Sequence, residues 1–160
     1  MLDDYRRILS QNLWHSDRTF LPEYVADWLL TEESLTAKLE QHCVQFRVKV
    51  VDEYFTNNAD WRREVILNGD QREWIFAQTD FSKELMQYCG KEISQLREMP
   101  LGHWLFKQKP QRLSTEWCQD LRTGLYARRS VLKIDHGILR VSELFLAGFD
   151  FPDSTLNGTK

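Results

Sequence analysis

From residue 44 to residue 81 apolar and polar positions alternate with a period of two. Val44, Phe46, Val48 and Val50 interleave with Gln45, Arg47 and Lys49, the pattern of a half-buried strand. The alternation loses phase at Val50-Val51, which predicts a bulge. After a polar turn around Asn57-Asn58 comes the stretch WRREVILN, residues 61–68. It runs into Asn68-Gly69-Asp70, a hairpin signal, and REWIFAQTDF follows as the partner strand. The same period returns in the last third, in RLSTEWCQDLR, LYARRSVLKID and ILRVSELFLA, with a turn at Asp135-His136-Gly137 between the second and third.

Elsewhere the period is helical. Pro22 precedes EYVADWLL, where Val25, Trp28 and Leu29 share a face. In EESLTAKLE, Ser34 is placed as an N-cap, and Leu35 and Leu39 lie one turn apart. This region predicts two short helices or one broken helix. SKELMQYCGKEISQLRE is helical, with Gly90 expected to separate two helices, and MPLGHWLF brings a Pro-Leu-Gly turn and a short apolar segment. Hairpin-joined strands with helices inserted in groups predict an α+β fold built on a single antiparallel sheet. The chain reads as one domain, 1–160, in which 148–160, GFDFPDSTLNGTK, is small and polar and expected to be a flexible tail.

Two charges break the apolar faces. If 61–68 is a strand, Trp61, Arg63, Val65 and Leu67 share one side of the sheet, with a guanidinium in the middle. In the last strand Leu139, Val141, Glu143 and Phe145 share a side, with a carboxylate in the middle. Burying either charge alone costs several kcal/mol. Three explanations stand side by side. The faces are solvated or at an edge; Arg63 and Glu143 form a structural ion pair; or they are polar groups at two ends of an enclosed ligand site with apolar walls. Periodicity does not choose among them.

Composition narrows the function classes. A net charge of −3 with no basic stripe gives no support for nucleic-acid binding. Cys43, Cys89 and Cys118 are far apart, and neither they nor His15, His42, His103 and His136 show metal-ligand spacing. There is no G-x-G-x-x-G and no phosphate-binding G-x-x-x-x-G-K-[ST] motif. Ser and Cys nucleophiles have no visible base partner. No run approaches a membrane span, and MLDDYRRILS has no apolar signal-peptide core, so a cytoplasmic location with reduced thiols is expected.

Taken together, WRREVILNGDQREWIFAQTDF, MPLGHWLF and LYARRSVLKIDHGILRVSELFL, preceded by DWLLTEESLTAKLEQ, resemble the chorismate pyruvate-lyase family. The resemblance covers roughly residues 20 to 147. Each motif alone is a short apolar-basic string; the four in register are specific. The resemblance implies a cofactor-free, metal-free lyase. It would convert chorismate to 4-hydroxybenzoate and pyruvate at the start of ubiquinone biosynthesis, with the aromatic product in an internal site under helical flaps. Carried over residue by residue, the family's substrate- and product-binding positions fall on Arg63, Leu101, Glu143 and Leu35, with Arg63 and Glu143 also catalytic. Leu35 stands where the family can have Met, an apolar exchange of similar volume. A second basic group should meet the enolpyruvyl carboxylate, and Arg128 and Arg129 in YARRS are the candidates, of which only one can face inward. The chain is expected to act as a monomer on a small molecule, without nucleic acid. The alternative is a non-catalytic domain of similar fold that binds a small aromatic ligand.

Overall fold

The computed structural model describes residues 1–153. Six strands form one sheet: β1 (Phe46–Phe55), β2 (Trp61–Gly69), β3 (Arg72–Phe81), β4 (Gln111–Gln119), β5 (Tyr126–Ile134) and β6 (Gly137–Phe145). Their order is β1-β2-β3-β6-β5-β4, and every neighbouring pair is antiparallel. Five helices accompany them: α1 (Leu2–Leu9), α2 (Glu23–Leu29), α3 (Leu35–Glu40), α4 (Lys83–Ser94) and α5 (Leu101–Lys107). The chain is therefore α+β with a single antiparallel sheet, as the alternation predicts. No helix among the described residues is long and apolar enough to cross a membrane.

Several local signals hold. The β1–β2 register slips between Val50 and Asp52, where the alternation loses phase. The Ser34 Oγ caps α3 by accepting from the Ala37 N–H at 3.3 Å. The region after Pro22 resolves into two short helices, α2 and α3.

Others are corrected. The β2–β3 turn is not centred on Asn68-Gly69. Its central residues are Asp70 (φ 49°) and Gln71 (φ 71°), and two positive φ values are what a type I′ hairpin requires. Gly69 belongs to β2, where a Cβ would overlap the Trp74 indole. Gly90 does not divide a helix; α4 runs through it, because Leu85, Cys89 and Ile93 bury one face across that point. That packing outweighs the ~1 kcal/mol cost of a helical glycine. Pro100-Leu101-Gly102 opens α5 rather than forming a turn, with Pro100 at the N-cap. The expected flexible tail does not begin at 148. Phe149 is 4% exposed in the core, and the Pro152 carbonyl accepts from Trp28 Nε1 at 2.8 Å; the rest of that segment, 154–160, lies outside the described residues. Helix α1 was not anticipated, although Leu2, Tyr5, Ile8 and Leu9 carry its apolar spacing.

The sheet's two faces are covered differently. On one, α1 packs Ile8 and Leu9 against Ile66, Phe76, Ala127 and Leu144. This face buries Glu64 at 0% exposure, directly behind Arg63. Its carboxylate accepts from Arg6 Nη2 at 2.8 Å, Arg6 Nε at 3.1 Å, Gln78 Nε2 at 2.8 Å and the Tyr54 hydroxyl at 3.2 Å. The hydrogen bonds from Arg6 to Glu64 hold that guanidinium above its ordinary pKa. A buried carboxylate with four donor contacts is satisfied; one that loses its only cation is not. Arg6→Ala is therefore expected to cost about 2 kcal/mol, below the 3–5 kcal/mol of a fully buried pair because Arg6 is one-third exposed. Urea denaturation would register it as a lower midpoint with an unchanged slope.

On the other face there are two apolar clusters at opposite ends of the strands. One joins α2 and α3 to Leu67, Ile75 and Phe145. The second joins α4 and α5 to Phe81, Leu132 and Leu139. Between them the sheet presents Arg63, Thr79, Arg128, Ser130 and Glu143, all buried. The candidate site sits in this polar belt.

Candidate active site

The strand registers place the belt residues in two rows across the sheet. Arg63, Thr79, Val141 and Ser130 stand side by side on β2, β3, β6 and β5; Val65, Ala77, Glu143 and Arg128 form the adjacent row. Each strand contributes positions i and i+2, so both rows face the same way. Helices α3 and α5 close over them, with Leu35, Thr36, Leu101 and Leu105 lining the lid. The cavity they leave, partly open to the surface, is about 240 Å³. That is below the roughly 300–1,000 Å³ of clefts for drug-sized ligands and suits a small metabolite.

Arg63 and Glu143 both line this cavity and do not pair with each other. With strands ~4.8 Å apart and ~3.4 Å per residue, two strands and two residues separate their Cα atoms by roughly 12 Å. The solvated-face and direct ion-pair readings of these residues are therefore excluded.

Arg63 is 2% exposed. Its Nη2 donates to the Arg97 carbonyl at 2.8 Å and the Met99 carbonyl at 2.9 Å. Arg97 has φ 49°, a left-handed conformation at the end of the α4 segment, in the loop that leads to the lid helix. Arg63 Nε is buried and has no hydrogen-bond partner. Burial pulls the guanidinium below its ordinary pKa, with Glu53 on the neighbouring strand opposing the shift. A buried guanidinium held only by carbonyls, with a donor to spare, is prepared for an anionic oxygen.

Glu143 has a different partner from the one weighed from the sequence. Arg128 Nε donates to Glu143 Oε1 at 2.6 Å, and both side chains are more than nine-tenths buried. The pair was legible in outline: Arg128 and Glu143 lie at equal distances on either side of the two-residue Asp135-His136 turn, so a tight hairpin sets them opposite each other. Arg128 Nη1 also reaches the Trp28 carbonyl at 3.4 Å. Arg129 points to the other face, where it bonds Glu116 at 3.0 Å and covers the Trp14 ring at 4.4 Å. Of the two adjacent arginines only Arg128 reaches the cavity.

One cation was missed. Arg112 of β4 lines the cavity and donates to Thr115 Oγ1 at 3.1 Å and the Thr31 carbonyl at 3.2 Å. Burial and then the positive charge of Arg128 lower its pKa. No pattern in RLSTEWCQDLR marks it, because a bulge between Arg112 and Ser114 turns it inward against the alternation. The lining therefore holds three guanidiniums against one deep carboxylate, Glu143, with Glu32 and Glu33 on the α2–α3 loop. Among the described residues no group of His, Cys, Asp and Glu is placed to hold a metal ion.

Leu35 and Leu101 are the first residues of α3 and α5. Their amide N–H groups belong to the set a helix leaves without internal partners. The two lids touch at Gly102, where an added Cβ would lie 3.0 Å from Thr36 Oγ1. Gly102→Val should wedge α3 from α5, weaken retention of a bound ligand about tenfold and raise its dissociation rate. Stopped-flow release of the bound ligand measures this; an unchanged off-rate would mean that the lids do not gate the cavity.

The chorismate lyase family model matches residues 8–151. Proteins named chorismate pyruvate-lyase from Pectobacterium atrosepticum and Pectobacterium carotovorum subsp. carotovorum are 33% and 32% identical, each alignment covering 91% of this chain and 90% of the relative. A probable chorismate pyruvate-lyase from Shewanella amazonensis is 33% identical over 79% of this chain and 82% of its own. The chain belongs to the chorismate lyase family.

Proposed function

We propose that this protein is a chorismate pyruvate-lyase that eliminates pyruvate from chorismate to give 4-hydroxybenzoate. The observation that carries the reading is the cavity's polarity. A buried arginine with a free donor stands at one end and the Arg128–Glu143 pair at the other, across apolar walls of a size for one substituted ring.

In this reading Arg63 and the first-turn amides of Leu35 and Leu101 hold the ring carboxylate. Glu143, oriented by Arg128, accepts a hydrogen bond from the ring hydroxyl that becomes the product phenol. Arg128 also faces the enolpyruvyl carboxylate. The C–O bond to the side chain breaks and the hydroxyl-bearing carbon loses its hydrogen. That hydrogen completes the methyl group of pyruvate, either by direct transfer to the departing enolpyruvyl methylene or by way of a base. Aromatisation supplies the driving force, so no cofactor is required. The residues contribute a fixed reactive conformer, exclusion of water and stabilisation of the departing enolpyruvate charge. A cytoplasmic monomer at the head of ubiquinone biosynthesis fits this activity.

Incubation with chorismate in the presence of EDTA tests the proposal. Formation of 4-hydroxybenzoate and pyruvate in equal amounts is expected; intact chorismate would refute it.

A further inference from the structure

Six side-chain polar atoms among the described residues are buried without a hydrogen-bond partner, and two of them belong to residues lining the cavity: Arg63 Nε and Ser130 Oγ. Arg63 Nε has a role in the reading above. Ser130 has none. The residue is 2% exposed and lies on β5 two positions beyond Arg128, facing the same way. A buried hydroxyl without a partner is costly and calls for an explanation in a ligand or water.

Its surroundings say which part of a ligand it meets. Ser130 stands opposite Val141 on β6 and Thr115 on β4, the residue whose hydroxyl accepts from Arg112. It is thus beside the Arg128–Glu143 pair, on the β5 and β4 side of the cavity, roughly 14 Å across three strand spacings from Arg63. Two guanidiniums, those of Arg112 and Arg128, line this side of the cavity. Once a ring carboxylate is placed at Arg63 and a ring hydroxyl at Glu143, the remaining charged group of the substrate is the carboxylate on the neighbouring ether substituent. It falls beside Glu143, where the two arginines supply positive charge and Ser130 supplies an uncommitted O–H.

We infer that Ser130 is a substrate-contacting residue whose hydroxyl donates to the enolpyruvyl carboxylate, in a subsite it shares with Arg112 and Arg128. This rests on the lyase reading of the cavity. It has a consequence that a structural serine would not have. The aromatic product lacks that carboxylate, so Ser130 should matter for the substrate and not for the product.

Ser130→Ala removes one atom and leaves the strand intact. The expected result is a kcat/KM for chorismate lowered about 10- to 100-fold, the range for loss of a hydrogen bond to a charged group. The dissociation constant of 4-hydroxybenzoate should stay within twofold of wild type, and the melting temperature should not fall. An unchanged kcat/KM would overturn the inference, because Ser130 Oγ would then bond only water. A product affinity that weakens in step with kcat/KM would also overturn it, because the hydroxyl would then serve the ring. Wild-type turnover of chorismate in the same assay separates these failures from failure of the activity itself.

Discussion

Arg63→Met is expected to raise the dissociation constant of 4-hydroxybenzoate about 100-fold or more, equivalent to roughly 3 kcal/mol. Methionine fills most of the volume and removes every donor. The ligand carboxylate would then be buried without its cation, and the cost of truncating one partner of a desolvated, hydrogen-bonded charge pair is 2–5 kcal/mol or more. The free protein should change less. Removing the guanidinium relieves a buried charge whose nearest described partners are two backbone carbonyls, but it leaves the Arg97 and Met99 carbonyls without their donor. These effects oppose each other, each on the order of 1–3 kcal/mol. Thermal unfolding with and without product reads both. Wild type should gain melting temperature as product binds, by linkage, and Arg63→Met should gain almost none at the same concentration. Product affinity within threefold of wild type would remove Arg63 as the carboxylate anchor.

Arg63 also shows how far the sequence could be read. The alternation in WRREVILN places it on an apolar face, and the sheet is buried on that face as it is on the opposite one at Glu64 and Ile66. Strand pattern alone left three explanations open, because a period of two fixes which side a residue takes and not what covers that side. The cover is built from α3 and α5, six and seven residues long, and such short helices carry too little periodicity to be positioned from sequence. The hairpin registers were more accessible. The two-residue Asp135-His136 turn is enough to set Arg128 against Glu143 and to send Arg129 to the other face. Bulges are the opposite case. The one at Val50-Val51 was visible because it disturbs an apolar run, whereas the one after Arg112 lies in a polar stretch and hides the inward turn of that residue. The family resemblance supplied the ligand, which no amount of patterning contains. The Arg6–Glu64 network behind the site was invisible for a different reason: its members are separated by 58 residues and belong to a helix and a strand that meet only in the folded chain.

Glu143→Gln should lower kcat by at least about 100-fold while product affinity falls much less. Gln keeps the volume and one acceptor, so the ring hydroxyl can still be bound. What it loses is the negative charge that the proposed reading sets at the ring hydroxyl, and the ion pair with Arg128, now 2.6 Å long. The loss also leaves Arg128 buried beside a neutral group, so part of any damage will be structural rather than catalytic. A double-mutant cycle separates the two. Glu143→Gln alone should destabilise the fold by about 2–4 kcal/mol, because breaking a buried pair strands the remaining charge. Adding Arg128→Met removes the stranded guanidinium and should restore most of that stability, as replacement of buried ion pairs by apolar residues commonly does. Turnover should not return with it, because neither the acceptor charge at the hydroxyl nor the cation at the enolpyruvyl carboxylate is present in the double variant. Recovery of both stability and turnover would mean that the pair only holds β5 against β6. Recovery of stability alone assigns Glu143 and Arg128 to the chemistry of the elimination, and explains why the sheet carries a buried ion pair at a position where two leucines would hold it more firmly.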